Sequence, residues 1–99
     1  MKQKEPVLWD TKISIGDEVV AVNLTTGTTQ VASVRDFSGS ILTLETKMPL
    51  DIGDAVRLEL QEGLLLAEVV YEHASEPSHQ VILRCCGWVW QRAANTVIR

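Results

Sequence analysis

At 99 residues the chain is long enough to bury one core and too short for a two-domain enzyme. Hydrophobic residues make up 45% and charged residues 22%, which excludes an intrinsically disordered chain. Nine Lys and Arg against thirteen Asp and Glu give a formal charge of −4, so no general field draws in DNA or RNA, and any phosphate binding falls to a local cluster.

The stretch from Met1 to Pro6 is short and charged and lacks the apolar centre of a secretory signal. No apolar run approaches the roughly 18 to 20 residues that span a bilayer, since Asp54, Arg57 and Glu68 interrupt the candidates. These features predict a soluble cytoplasmic protein without membrane insertion, organised as an N-terminal segment over 1–15 and one domain over 16–99.

Period-two patterning then runs through the chain. Glu18 to Leu24 is rich in valine, and Thr25-Thr26-Gly27-Thr28 suits a reversal of direction. A second strand is expected from Thr29 to Asp36, a break at Ser38-Gly39-Ser40, and a third strand from Ile41 to Glu45. The run Pro49 to Asp54 reads as a loop, because proline cannot donate to a central ladder. In Ala55 to Leu60, the residues Val56, Leu58 and Leu60 alternate with Arg57 and Glu59, the mark of a half-buried strand. Glu62-Gly63 interrupts, and Leu64 to Glu72 resumes with Leu65, Ala67, Val69 and Tyr71 on one face and Leu66, Glu68, Val70 and Glu72 on the other. Ser75-Glu76-Pro77-Ser78 forms a further loop, and Gln80 to Trp88 is the last long strand, with Val81, Leu83 and Cys85 opposed to Ile82, Arg84 and Cys86. From Val89 to Val97, apolar residues fall at helical spacing and predict a short C-terminal helix.

At least six short strands joined by tight turns predict an all-β, antiparallel barrel or sandwich, since parallel pairing needs crossovers for which the chain has no room. A closed barrel also removes exposed edges. Cys85 and Cys86 are adjacent and point to opposite faces of a strand, so they are expected to be reduced packing residues rather than a disulfide.

Residues that could carry chemistry are sparse. His73 and His79 flank the Pro77 loop without a carboxylate or thiol at ligand spacing, which predicts no metal site. Ser38 lies in Asp36-Phe37-Ser38-Gly39-Ser40 without a hydrolase elbow, and its local reading is a turn whose Asp and Ser side chains cap backbone amides. There is no glycine-rich phosphate loop and no zinc motif. The expectation is a protein that is not an enzyme and holds no cofactor. Trp88 and Trp90, with Trp9, make three of only five aromatic residues. They suit either packing at a barrel end or a partner-facing hot spot.

The run Asp36 to Leu44, followed by Pro49 to Leu60 and then Leu66-Ala67-Glu68-Val69-Val70-Tyr71, resembles a PilZ domain, a bacterial family of about this length. The resemblance covers roughly Gly16 to Trp88 and rests on an Asp-x-Ser turn between strands, a Pro-Leu-x-x-Gly-x loop and a strand ending in Val-Val-aromatic. It implies a six-stranded antiparallel barrel with a C-terminal helix, and the binding of cyclic di-GMP through an Arg-x-x-x-Arg segment before the barrel plus an Asp/Asn-x-Ser-x-x-Gly turn. Asp36 and Ser38 match that turn, while Ile41 stands where the glycine belongs and no arginine precedes Arg35. The lysines at 2, 4 and 12 do not reproduce a planar guanidinium fork. The functional expectation is therefore a signalling or protein-interaction domain that has lost cyclic di-GMP binding. Two alternatives accompany it: a receptor whose cations are Arg35, Arg57 or Arg84, and a structural module that self-associates through Trp88 to Val97.

Overall fold

A computed structural model describes residues 13–60 and 63–90, with side chains described as far as 87. Six strands are present: β1 (Glu18–Asn23), β2 (Thr29–Ser38), β3 (Ile41–Thr46), β4 (Ala55–Leu60), β5 (Gly63–Ser75) and β6 (Ser78–Trp90). They close into an antiparallel barrel in the order β1-β2-β3-β6-β5-β4, with β1 paired to both β2 and β4. None of the described residues is helical. The residues expected to form a C-terminal helix divide: Val89 and Trp90 continue β6, where their backbones pair with Leu64 and Gly63, and the remainder lies outside the described residues.

Alternation builds the core. Each strand turns two or three small or branched apolar side chains inward, among them Val19 and Ala21, Ala32 and Val34, Leu42 and Leu44, Val56 and Leu58, and Leu83 and Cys85. The largest of these are fully buried, and the row filling a barrel of this size leaves little room for larger rings. In the ring, β3 and β4 sit three strands apart in either direction, so the segment 47–54 must cross a barrel end. Leu50 is buried there, 3% exposed, within the same core cluster.

Among the described residues two polar ones are buried with the core, Asn23 and Thr46. Asn23 Nδ2 donates to Asp54 Oδ2 at 2.8 Å, while its Oδ1 accepts from the amides of Thr25 and Thr26 at 2.8 and 3.2 Å. The same Asp54 oxygen accepts from the Asp51 amide at 3.1 Å. One side chain thus ties the β1–β2 turn to the loop entering β4, and its own buried amide group finds partners for both its oxygen and its nitrogen.

Three β-bulges interrupt the ladders, with Arg35, Val70 and Cys86 as the inserted residues. Each adds one residue to one strand and reverses its inward-outward parity. Tyr71 is consequently not on the face of Leu65, Ala67 and Val69: Val69 is fully buried and Tyr71 is 51% exposed. The bulge at Arg35 likewise leaves both Arg35 and Asp36 outside before Phe37 packs against the core. Asp36 and Ser38 therefore belong to β2 rather than to a turn. The turn is the two-residue Gly39-Ser40, flanked by the Ser38–Ile41 pair. Gly39 has a φ of +63° there, the sign that the first position of a type II′ hairpin turn requires.

Candidate functional site

Asp36 and Ser38, two apart on β2, share the outer face, and both are exposed. Neither side chain caps a backbone amide among the described residues; as strand residues beyond the bulge they lack the local geometry of an Asx turn. Across the sheet, Ser38 pairs with Ile41, Ile41 with Arg84, and Arg84 with Glu68. At about 4.8 Å between strands, Arg84 stands roughly 10 Å from Ser38. The side chain in register between them is that of Ile41, 38% exposed. A β-branched side chain thus stands between Ser38 and Arg84 on this face.

Each of the three arginines singled out in the sequence faces a glutamate. Arg35 Nε lies 3.5 Å from Glu45 Oε1, Arg57 Nη2 3.1 Å from Glu59 Oε2, and Arg84 Nη2 2.8 Å from Glu68 Oε1. Arg57 does not join the others. It sits on β4 between Val22 and Leu66, and Val22 pairs with Thr29, seven residues down β2 from Asp36, a separation of about 23 Å along the strand. Its Nε is buried with no hydrogen-bond partner among the described residues. The fold brings Asp36, Ser38, Arg35 and Arg84 to one side of the barrel and leaves Arg57 on another.

Trp88 and Trp90 lie in β6, in backbone register with Leu65 and Gly63, and their side chains are outside the described residues. Cys85 is buried and Cys86 exposed, neither in a disulfide, with Cys86 Sγ 3.6 Å from the Leu66 carbonyl oxygen.

His79 gains a partner that its sequence neighbourhood does not show. The β5–β6 hairpin sets Ala74 opposite His79, which brings Glu72 into diagonal reach, and Glu72 Oε2 lies 2.7 Å from His79 Nδ1. Among the described residues no three His, Cys, Asp or Glu side chains group as a ligand set.

A groove of about 790 Å³ lies on the outer face of β2 and β3 beside the tip of the β5–β6 hairpin. Val31, Met48 and Pro77 supply its apolar surface, and Glu18, Glu45 and Lys47 its charges. Glu18, Ser33 and Glu45 form one register row across three strands. The walls are fixed by local hydrogen bonds: Gln30 Oε1 accepts from the amides of Lys47 and Met48 at 3.1 Å each, and Gln30 Nε2 and Thr46 Oγ1 donate to the Met48 carbonyl at 3.1 and 2.8 Å. Ser78 Oγ donates to Glu45 Oε2 at 2.7 Å, fastening the hairpin tip to β3. A smaller recess of about 150 Å³ adjoins, sharing Glu45 and Ser78 and bounded by Arg35 and His79.

Comparison of the chain with protein-family models, with curated proteins and with solved structures finds no match. The groove carries no sequence signature: apart from the buried Thr46 its residues are partly or fully exposed strand and loop residues of ordinary type, and Gln30 clamps Met48 from eighteen positions away.

Proposed function

We propose that this chain is a non-catalytic, PilZ-like barrel that acts in bacterial signalling as a protein-interaction module and has lost cyclic di-GMP binding. The observation that carries the reading is the outer row Ser38–Ile41–Arg84–Glu68. A cyclic dinucleotide needs an open glycine shelf and paired guanidinium groups free to fork onto phosphate and guanine. Here Ile41 covers the shelf, and Arg35, Arg57 and Arg84 each face a carboxylate. A phosphate would have to displace those glutamates and approach a surface whose overall charge is −4. The Asp36 and Ser38 pair is what remains of the ligand turn. A closed barrel with a formed outer groove is suited to presenting surface to another protein. The cytoplasm, where cyclic di-GMP signalling takes place, is its proposed location. Calorimetric titration of the full chain with cyclic di-GMP tests the reading: binding no tighter than about 1 mM, or −4.1 kcal/mol, is expected, and micromolar binding would overturn it.

A further inference from the structure

The groove beside the β5–β6 hairpin tip offers more than surface. We infer that it docks a short extended segment of a partner protein in which an apolar residue is flanked by Arg or Lys. This inference rests on the interaction-module reading and names the class of partner.

Three features of the groove select that occupant. Its apolar surface is already exposed in the free chain, with Val31 55% and Met48 42% accessible beside Pro77, so an incoming apolar side chain gains burial without unfolding anything. Its walls are preorganised, since Gln30 and Thr46 hold the Met48 backbone and Ser78 holds Glu45; little ordering remains to be done on binding. Its volume of about 790 Å³ belongs to an open surface groove, a shape that suits an extended segment laid along the sheet rather than an enclosed small molecule.

Charge then decides the sign of the partner. Glu18 and Glu45 flank Ser33 in one row, roughly 10 Å apart at two strand spacings. Glu18 is exposed and has no ion pair among the described residues, while Glu45 accepts from Ser78 and is paired with Arg35 at 3.5 Å, so Glu18 is the carboxylate that an incoming cation meets first. A cationic side chain seated over Ser33 reaches either carboxylate, and Lys47 at the other side disfavours a second cation there and so sets direction. Glu18 and Glu45 along the groove disfavour nucleic acid and anionic lipid as occupants.

Backbone amide shifts of the full chain are to be followed by NMR on titration with three synthetic hexapeptides: acetyl-Ser-Arg-Leu-Arg-Leu-Ser-amide, the same with both Arg replaced by Glu, and the same with both Leu replaced by Ser. The first should shift the amides of Val31, Met48 and Ser78 saturably, weaken with added salt, and lose about two- to five-fold in affinity in Glu18→Gln, the span of an exposed charge pair. Met48→Ser should lose about ten-fold, as expected for a half-buried anchor. Both side chains are exposed, and an unchanged circular dichroism spectrum checks the fold of each variant. Absence of shifts in the groove up to about 5 mM peptide, far weaker than a specific contact, would overturn the inference, as would equal binding of the Glu peptide. Groove shifts that grow with protein concentration alone, with a dimer in light scattering that Glu18→Gln abolishes, would overturn it in favour of a second copy. The two readings fail separately. Peptide binding together with micromolar cyclic di-GMP binding removes the loss of the nucleotide site and keeps the groove, and neither binding removes the groove alone.

Discussion

Replacing Asn23 by Ala should be the most damaging polar-to-alanine change in the barrel. The side chain is 4% exposed and makes three hydrogen bonds, one of them to the Asp54 carboxylate. A bond to a charged group contributes about 1.5–3 kcal/mol and a neutral one about 0.5–1.5. The amides of Thr25 and Thr26 lie in an exposed turn, where water can replace the lost acceptor, so their share falls to the lower end. The bond to Asp54 is part-buried and involves a charged acceptor, so water compensates it less well than the turn amides, and the sum is a loss of about 2–4 kcal/mol. Against a total stability of about 5–10 kcal/mol for a domain of this size, that is a large fraction. It corresponds to a fall in melting temperature of roughly 10–25 °C. Urea unfolding followed by tryptophan fluorescence reads the change as a shift in midpoint at constant slope. Asp54→Ala should show a coupling with Asn23→Ala of at least about 1 kcal/mol in a double-mutant cycle. Asp36→Ala, on the surface without a described partner, serves as the reference and should change stability by less than about 0.5 kcal/mol. A loss below about 1 kcal/mol for Asn23→Ala, or additivity with Asp54→Ala, would refute the role assigned to this network.

The bulge at Val70 makes a paired test of parity: Val69→Ala should cost about 1.5–3 kcal/mol through a core cavity, while Tyr71→Ser, one residue beyond the inserted position, should cost less than about 1; the reverse order in denaturant titrations would place the bulge elsewhere. The two thiols should differ in reactivity. A thiol reagent followed by mass spectrometry should label Cys86 in the native protein and Cys85 only after unfolding, and equal labelling would contradict the opposed faces of β6.

Much of the barrel was legible because each strand keeps one face dry and one wet. Ala55 to Leu60 matches β4 end for end, and the Val81, Leu83, Cys85 face of the last strand is the buried one. Strand ends drift where pairing outlasts the sequence pattern: β5 continues to Ser75 and β6 begins at Ser78, because the hairpin ladder closes only at its tip. The bulges were not legible. An inserted Arg35 or Val70 carries no compositional mark, yet it reverses the facing of everything after it, and so it turns both Asp36 and Tyr71 away from the core. Strand order around the ring was hidden for another reason. The segment 47–54 crosses the barrel end on the strength of one buried residue, Leu50, in a stretch that reads as an ordinary loop. The candidate site divides along the same line. Asp36 and Ser38 were found as a pair because they are near in sequence, and Arg84 joins their face only through the β3–β6 register. The Glu72–His79 contact and the Gln30 clamp depend on strand pairing that no local spacing reveals.

The claim on which the functional account turns is that Ile41 and the three engaged arginines leave no cyclic dinucleotide site. Calorimetry of the full chain with cyclic di-GMP, run beside Arg35→Ala and Arg84→Ala, tests it most directly. The account expects no saturable heat from any of the three proteins up to millimolar ligand; micromolar binding by the unmodified chain that either arginine substitution weakens would contradict it.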